Sequence, residues 1–192
     1  MSASGRLVGF GAVVVLLVCA IAQSWAESPR YELFGNARLV AVEAPNVVKL
    51  RMMGRDKLVA ARLLGVGSPH NKDRIKDLGP AGLSYIRQHD LWETSRNYVK
   101  SLLGHKVVEI WTRKWDKFDD KDRLLVYILI PDESGKPLDV NAEIIRKGLG
   151  FVTRDYVHVT FVGYRNLELE AKEHRRGIWG VFSQGRVSSL VQ

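Results

Sequence analysis

Arg62-Leu63-Leu64-Gly65-Val66-Gly67-Ser68-Pro69-His70 carries an arginine along a short apolar strand and ends the strand in a Gly-Ser-Pro turn. A second stretch has the same character: the acidic turn Asp119-Asp120-Lys121-Asp122 runs into Arg123-Leu124-Leu125-Val126-Tyr127. Guanidinium groups bind phosphate oxygens through paired hydrogen bonds and offset the charge that builds during phosphodiester cleavage. Arg62 and Arg123 are therefore the candidate catalytic and nucleic-acid-binding residues. Carboxylates that would hold a metal and activate water are absent from the first stretch, which makes the survival of catalysis the main question.

The segments around these stretches define the architecture. Residues 37–43, 47–52 and 57–66 are rich in Val and Leu and are separated by turns at Ala44-Pro45-Asn46 and Met53-Gly54-Arg55-Asp56, the pattern of a meander. Residues 67–79 read as a polar loop. Residues 80–103 read as helical, with Pro80 in the first turn and Gly104 at the C-terminal cap, although Asp90 interrupts the apolar face and leaves room for two helices. Residues 106–115 and 124–130 are strands, and residues 140–147 and 161–175 are helices closed by Gly148 and Gly177. Strands, helix, strands, helix, helix is an α+β order, built on a small twisted barrel.

The chain has 192 residues, one cysteine and a formal charge of +8, with 26% charged and 46% hydrophobic residues. That suits one domain with a sizeable core, and the basic balance favours polyanionic partners. Residues 1–26 have the three parts of a secretory signal: Arg6, an apolar run over residues 7–22, and Ser24-Trp25-Ala26. The run is short for a membrane span of about 20 residues. The expected location is secreted or periplasmic, or membrane-anchored if the leader is kept. Residues 27–36 are then a lead-in, 37–183 the domain and 184–192 a tail. Cys19 falls in the leader, so the mature chain has neither a disulfide nor a thiol nucleophile.

Five pieces, in this order and spacing, resemble the staphylococcal nuclease-like (thermonuclease) family from about residue 38 to residue 182. They are Val47-Val48-Lys49-Leu50, Arg62-Leu63-Leu64 with Ser68-Pro69, the 119–127 stretch, Val140-Asn141 with 144–149, and Glu168-Leu169-Glu170-Ala171 with Gly177-Ile178-Trp179. The resemblance implies an OB-fold five-stranded β-barrel with three helices, the first extended because the stretch before Lys106 is longer than in the family. It also implies calcium, phosphodiester cleavage and nucleic-acid binding. The family's metal carboxylates are replaced here by Asn46 and Gly67, and its water-activating glutamate by His70. Calcium takes six to eight oxygens, several of them anionic, so the resemblance implies a degenerate metal site with no confident ligand. Glu43 stands in only if the turn is shifted. Restoring the acids with Asn46→Asp, Gly67→Asp and His70→Glu is expected to rebuild the site. The family's two tyrosines correspond to Tyr156 and, in the other place, Arg154.

His70 has the pKa range of a metal-independent base, though a loop histidine is its plainer reading. Asp119, Asp120 and Asp122 read as a solvated hairpin turn. His89, His105, His158 and His174 read as surface residues. Trp111, Trp115 and Phe118 interleave with Arg113, Lys114 and Lys117, the pattern of a base-binding edge, with Trp111 equally suited to the core. The expected function is binding of nucleic acid or another polyanion with impaired catalysis, through Arg62, Arg123, Tyr156, Lys114 and Trp115. The alternatives are an active nuclease with a site remodelled around His70, Asn46 and the 119–122 turn, and a protein-interaction domain.

Overall fold

A computed structural model describes residues 30–55, 57–69 and 85–180, the backbone alone for 85–89. Residues 1–26, which the sequence reads as a leader, His70, the helix start at Pro80 and residues 184–192 lie outside the described residues.

The longest strand is β1, Tyr31–Ala44. It pairs antiparallel with β2, Val47–Met52, along its second half and with β5, Val107–Arg113, along its first. The strand therefore starts at Tyr31, inside the stretch that the sequence reads as a lead-in. Tyr31 is buried and pairs with Arg113, so sheet hydrogen bonding holds residues whose mixed composition gives no strand signal. Breaks in register after Leu33, Leu39 and Val42 coil β1 so that one strand serves two sides of the barrel.

β3, Leu58–Leu63, follows β2, and β4, Val66–Gly67, comes after a tight turn. β6, Leu124–Pro131, carries β7, Pro137–Asp139, along the end of one edge. The order β3-β2-β1-β5-β6 closes on itself, because β3 and β6 also pair in parallel through Ala61–Leu124, Arg62–Leu125 and Leu63–Val126. This is the five-stranded barrel. β6 is buried without a break from Leu124 to Ile128, because helices cover its outer face while the barrel interior takes the other.

Among the described residues three helices complete the α+β fold: α1, Tyr85–Leu103; α2, Val140–Arg146; and α3, Phe161–Glu173. Helix α1 runs through Asp90 without interruption, since Asp90 is exposed and costs the buried face nothing. Asp139 caps α2 by accepting from the Ala142 N–H (3.1 Å). Asn141, fully buried, donates to the Leu64 and Val126 carbonyls (3.0 and 2.9 Å) and accepts from the Ile128 N–H (3.3 Å). One amide thus ties the end of β3 to β6. After α3, Gly177 lies so close to Gly148 that a Cβ on it would sit 2.2 Å from the Gly148 oxygen, and Ile178 N–H donates to that oxygen at 2.9 Å. β8, Phe151–Val152, pairs with β4. Among the described residues no helix is long and apolar enough to cross a membrane.

Candidate functional site

The parallel closure of the barrel brings the two arginines together. Arg62 lies on β3 opposite Leu125, and Arg123 enters β6 directly before Leu124. Both reach Asp119. Arg123 donates through Nε at 2.7 Å and its Nη2 lies 2.6 Å from the same oxygen; Arg62 Nη1 stands 3.8 Å from it. The other Asp119 oxygen accepts from the backbone N–H groups of Lys121 and Arg123 at 3.0 and 2.9 Å.

Asp119 is thus not a solvated turn residue: its side chain is 0% exposed. The chain folds the turn back so that this carboxylate sits under the arginines, while Asp120 and Asp122 stay exposed. Burial pushes the Asp119 carboxyl up, but the Arg123 guanidinium and the two backbone donors hold it below the ordinary value of 3.8.

Arg62 has a second partner that the sequence did not single out. Its Nη2 donates to Asp155 Oδ2 at 2.7 Å, and its guanidinium lies over the Tyr156 ring, 5.3 Å from the centroid. Asp155 stands next to Tyr156 in sequence, but only the folded loop brings it back to β3.

Arg62, Arg123 and Lys121 line a cleft of about 480 Å3 with Asp120, Asp155, Tyr156 and Trp92. Trp92, on α1, is also absent from the sequence reading, because a helix face carries no signal of what it will face. Asn46 lines the cleft too, and its amide donates to the Val66 carbonyl at 2.9 Å, tying the β1–β2 turn to β4. Ser68 Oγ is buried at the cleft with no hydrogen-bond partner among the described residues.

At Gly67 the limit is space. A Cβ there would lie 2.3 Å from the Phe151 ring, on the paired strand β8. Phe151 is itself buried, in a cluster with Ala171, Ile178 and Trp179. Gly67→Asp therefore does not simply restore a missing acid, contrary to the expectation from sequence.

The remaining candidates are dispersed. Glu43 pairs with Lys49 at 3.2 Å and does not line the cleft. Arg154 stacks on Phe161. Trp111 is a core residue, its indole N–H donating to Glu109. Lys114 and Trp115 do not line this cleft, and Trp115 is 60% exposed beside another one. Among the described residues no group of three or more His, Cys, Asp or Glu is placed to hold a metal.

His158 is buried, not a surface residue. Its Nδ1 meets Thr160 Oγ1 at 3.0 Å and its ring packs against Gly65. Burial drives its pKa below the ordinary 6.5, opposed by its contact with the Thr153 carbonyl. The unfolded chain therefore binds this proton more readily than the folded one. The stabilisation is complete above pH 6.5 and is lost as pH falls from there toward the lower folded value. Urea unfolding across that range should give a declining stability for the natural chain and a flatter profile for His158→Gln. Parallel profiles would contradict the assignment.

Comparison with known proteins gives a match to the family described as Staphylococcal nuclease homologue over residues 60–181. A protein called probable endonuclease LCL3 from Scheffersomyces stipitis is 28% identical over 131 residues, 66% of this chain and 50% of the relative. Proteins of the same printed name from Talaromyces marneffei and Clavispora lusitaniae are each 28% identical over 68% of this chain, covering 37% and 52% of their own lengths. The chain thus spans about half or less of these relatives.

Proposed function

The chain belongs to the staphylococcal nuclease homologue family, and from that premise we propose that it binds the phosphodiester backbone of nucleic acid at the Arg62–Arg123 cleft while cleaving it weakly or not at all. The observation that carries this reading is the convergence of Arg62 and Arg123 on one cleft that also holds Lys121 and Tyr156. Two guanidinium groups and an ammonium supply the donors that phosphate oxygens take, and the Tyr156 ring lies against the Arg62 guanidinium beside them.

The donor set argues against a resident calcium ion. Asn46 brings no charge and its amide already serves Val66; Gly67 brings no side chain, and the Phe151 ring fills the adjoining space. Asp119 is held by two arginines and two backbone donors. Calcium needs several anionic oxygens, and Asp120, an exposed carboxylate on the cleft, supplies too few by itself. Catalytic impairment rests on this argument. Asp155 is the residue that a phosphate must displace from Arg62, because its carboxylate is partly exposed whereas that of Asp119 is enclosed. Export through residues 1–26 belongs to the same reading, and N-terminal sequencing of the native protein checks it.

The test is binding of single-stranded oligonucleotides over a range of salt, without divalent metal. Each charged hydrogen bond to phosphate is worth about 1.5–3 kcal/mol, so Arg123→Ala should weaken binding by roughly 10- to 100-fold. The salt slope should fall by about 0.7 for each single-strand phosphate that is no longer neutralised. Asp155→Asn should strengthen binding, since it removes the competing anion without removing a donor.

The printed names of the relatives favour a second reading, an active endonuclease. Rapid calcium-dependent cleavage by the natural chain that Arg123→Ala abolishes would replace the first reading with this one.

A further inference from the structure

A second concavity, of about 430 Å3, opens further along the segment that lines the first cleft. Asp155 and Tyr156 line the first; the next residues, Val157 to Val159, line the second. Its buried residues are Tyr31 and His158, and the Tyr31 hydroxyl accepts from the Val159 N–H at 3.3 Å, which fixes the segment in place. Three apolar side chains around it are exposed: Trp115 at 60%, Val157 at 78% and Val159 at 51%. Arg30, Arg113 and Asp116 line the same concavity. Arg113 is paired with Asp116 at 3.4 Å, but that carboxylate is 82% exposed and thus readily exchanged for another anion.

An exposed indole, two aliphatic side chains and two arginines beside a basic cleft match the chemistry of an unpaired base with its phosphate. Base-aromatic stacking accepts any base, and cations beside it take the backbone. We propose that the concavity at Trp115, Val157 and Val159 is a second nucleotide subsite, which takes an unpaired base of the strand whose backbone is held at Arg62 and Arg123. The proposal rests on the phosphate-binding reading of the first cleft. It also selects single strands, because a base stacked and paired in a duplex has no free face to offer.

The test uses the full chain in EDTA with two probes, a 5′-phosphorylated dinucleotide and an oligothymidylate of about 12 nucleotides, a length within the range such barrels cover. The short probe fills the first cleft alone; the long one reaches both. Trp115→Ala should weaken the long probe by about tenfold and leave the short one unchanged, and Trp115→Phe should retain most of the affinity. Arg30→Ala should lower the salt slope for the long probe by about 0.7. If Trp115→Ala binds the long probe as tightly as the natural chain while Arg123→Ala weakens both probes, the subsite is wrong and the first cleft stands. If the natural chain binds neither probe, both readings fall. If sedimentation shows a natural dimer that Trp115→Ala dissociates, the surface meets a second copy and the proposal is overturned.

Discussion

Gly67→Asp should destabilise the protein by about 3 kcal/mol or more, and should not create a calcium site by itself. Forcing atoms into a packed core typically costs about 1–3 kcal/mol, and here the new Cβ alone meets the Phe151 ring at 2.3 Å. Burying a polar group without a partner adds about 1–3 kcal/mol, and more for a carboxylate that stays charged. Asn46→Asp carries its own penalty: it exchanges a donor to the Val66 carbonyl for an anion facing that carbonyl. The decisive comparison is a double-mutant cycle in urea with Phe151→Ala. Alone, Phe151→Ala should cost about 3–5 kcal/mol. Combined with Gly67→Asp it should cost less than the two separately, with a coupling of about 1–3 kcal/mol, because each change answers the other. Strict additivity, or a Gly67→Asp protein as stable as the natural one and binding calcium, would mean that Phe151 does not occupy the space.

The second large effect is expected at Asp119. Removing the acid from a buried ion pair leaves the cations uncompensated and typically costs about 3–5 kcal/mol. Asp119 serves two arginines whose side chains are only 15% and 19% exposed, together with two backbone N–H groups. Asp119→Ala should therefore fall in that range and should also lower nucleic-acid affinity, because Arg62 and Arg123 lose the group that orients them. The carboxyl's folded pKa is lowered, so its stabilisation is complete above the ordinary value of 3.8 and disappears as pH falls through the folded value. Stability curves of the natural and variant proteins should accordingly differ at neutral pH and converge in strong acid. A constant gap at all pH values would point to lost packing in place of lost charge.

The barrel was legible in the chain because it is written locally. Alternating Val and Leu, turn residues and helix-ending glycines each speak for their own few neighbours, and the order of Arg62, Arg123, Asn141 and Gly177 does the rest. The start of β1 was not legible, since Tyr31 to Asn36 become strand only through pairing with β5. The site divides in the same way. Arg62, Arg123 and Tyr156 stood out as residue types and come together in the cleft. Asp119 was visible but misjudged, because a turn's sequence does not say which of its acids is folded inward. Asp155 and Phe151 act through space on residues far away in the chain, Trp92 lines a cleft made mostly of distant segments, and nothing near them in sequence announces this. His70 lies outside the described residues, so its proposed part as a base stays an expectation from sequence.

The parallel seam between β3 and β6 has a consequence for the order of events in folding. Arg62 and Arg123 become neighbours only when residues distant in sequence pair, and such contacts form late and slowly compared with hairpins and helices. A growing chain that has made the first meander carries Arg62 but none of the paired cleft, so capture at that cleft waits until β6 has been made and has docked. A ligand that recognises the pair should then leave the refolding rate nearly unchanged and slow unfolding, as expected for interactions absent from the transition state. Bound nucleic acid would thus prolong the lifetime of the closed barrel without helping to build it.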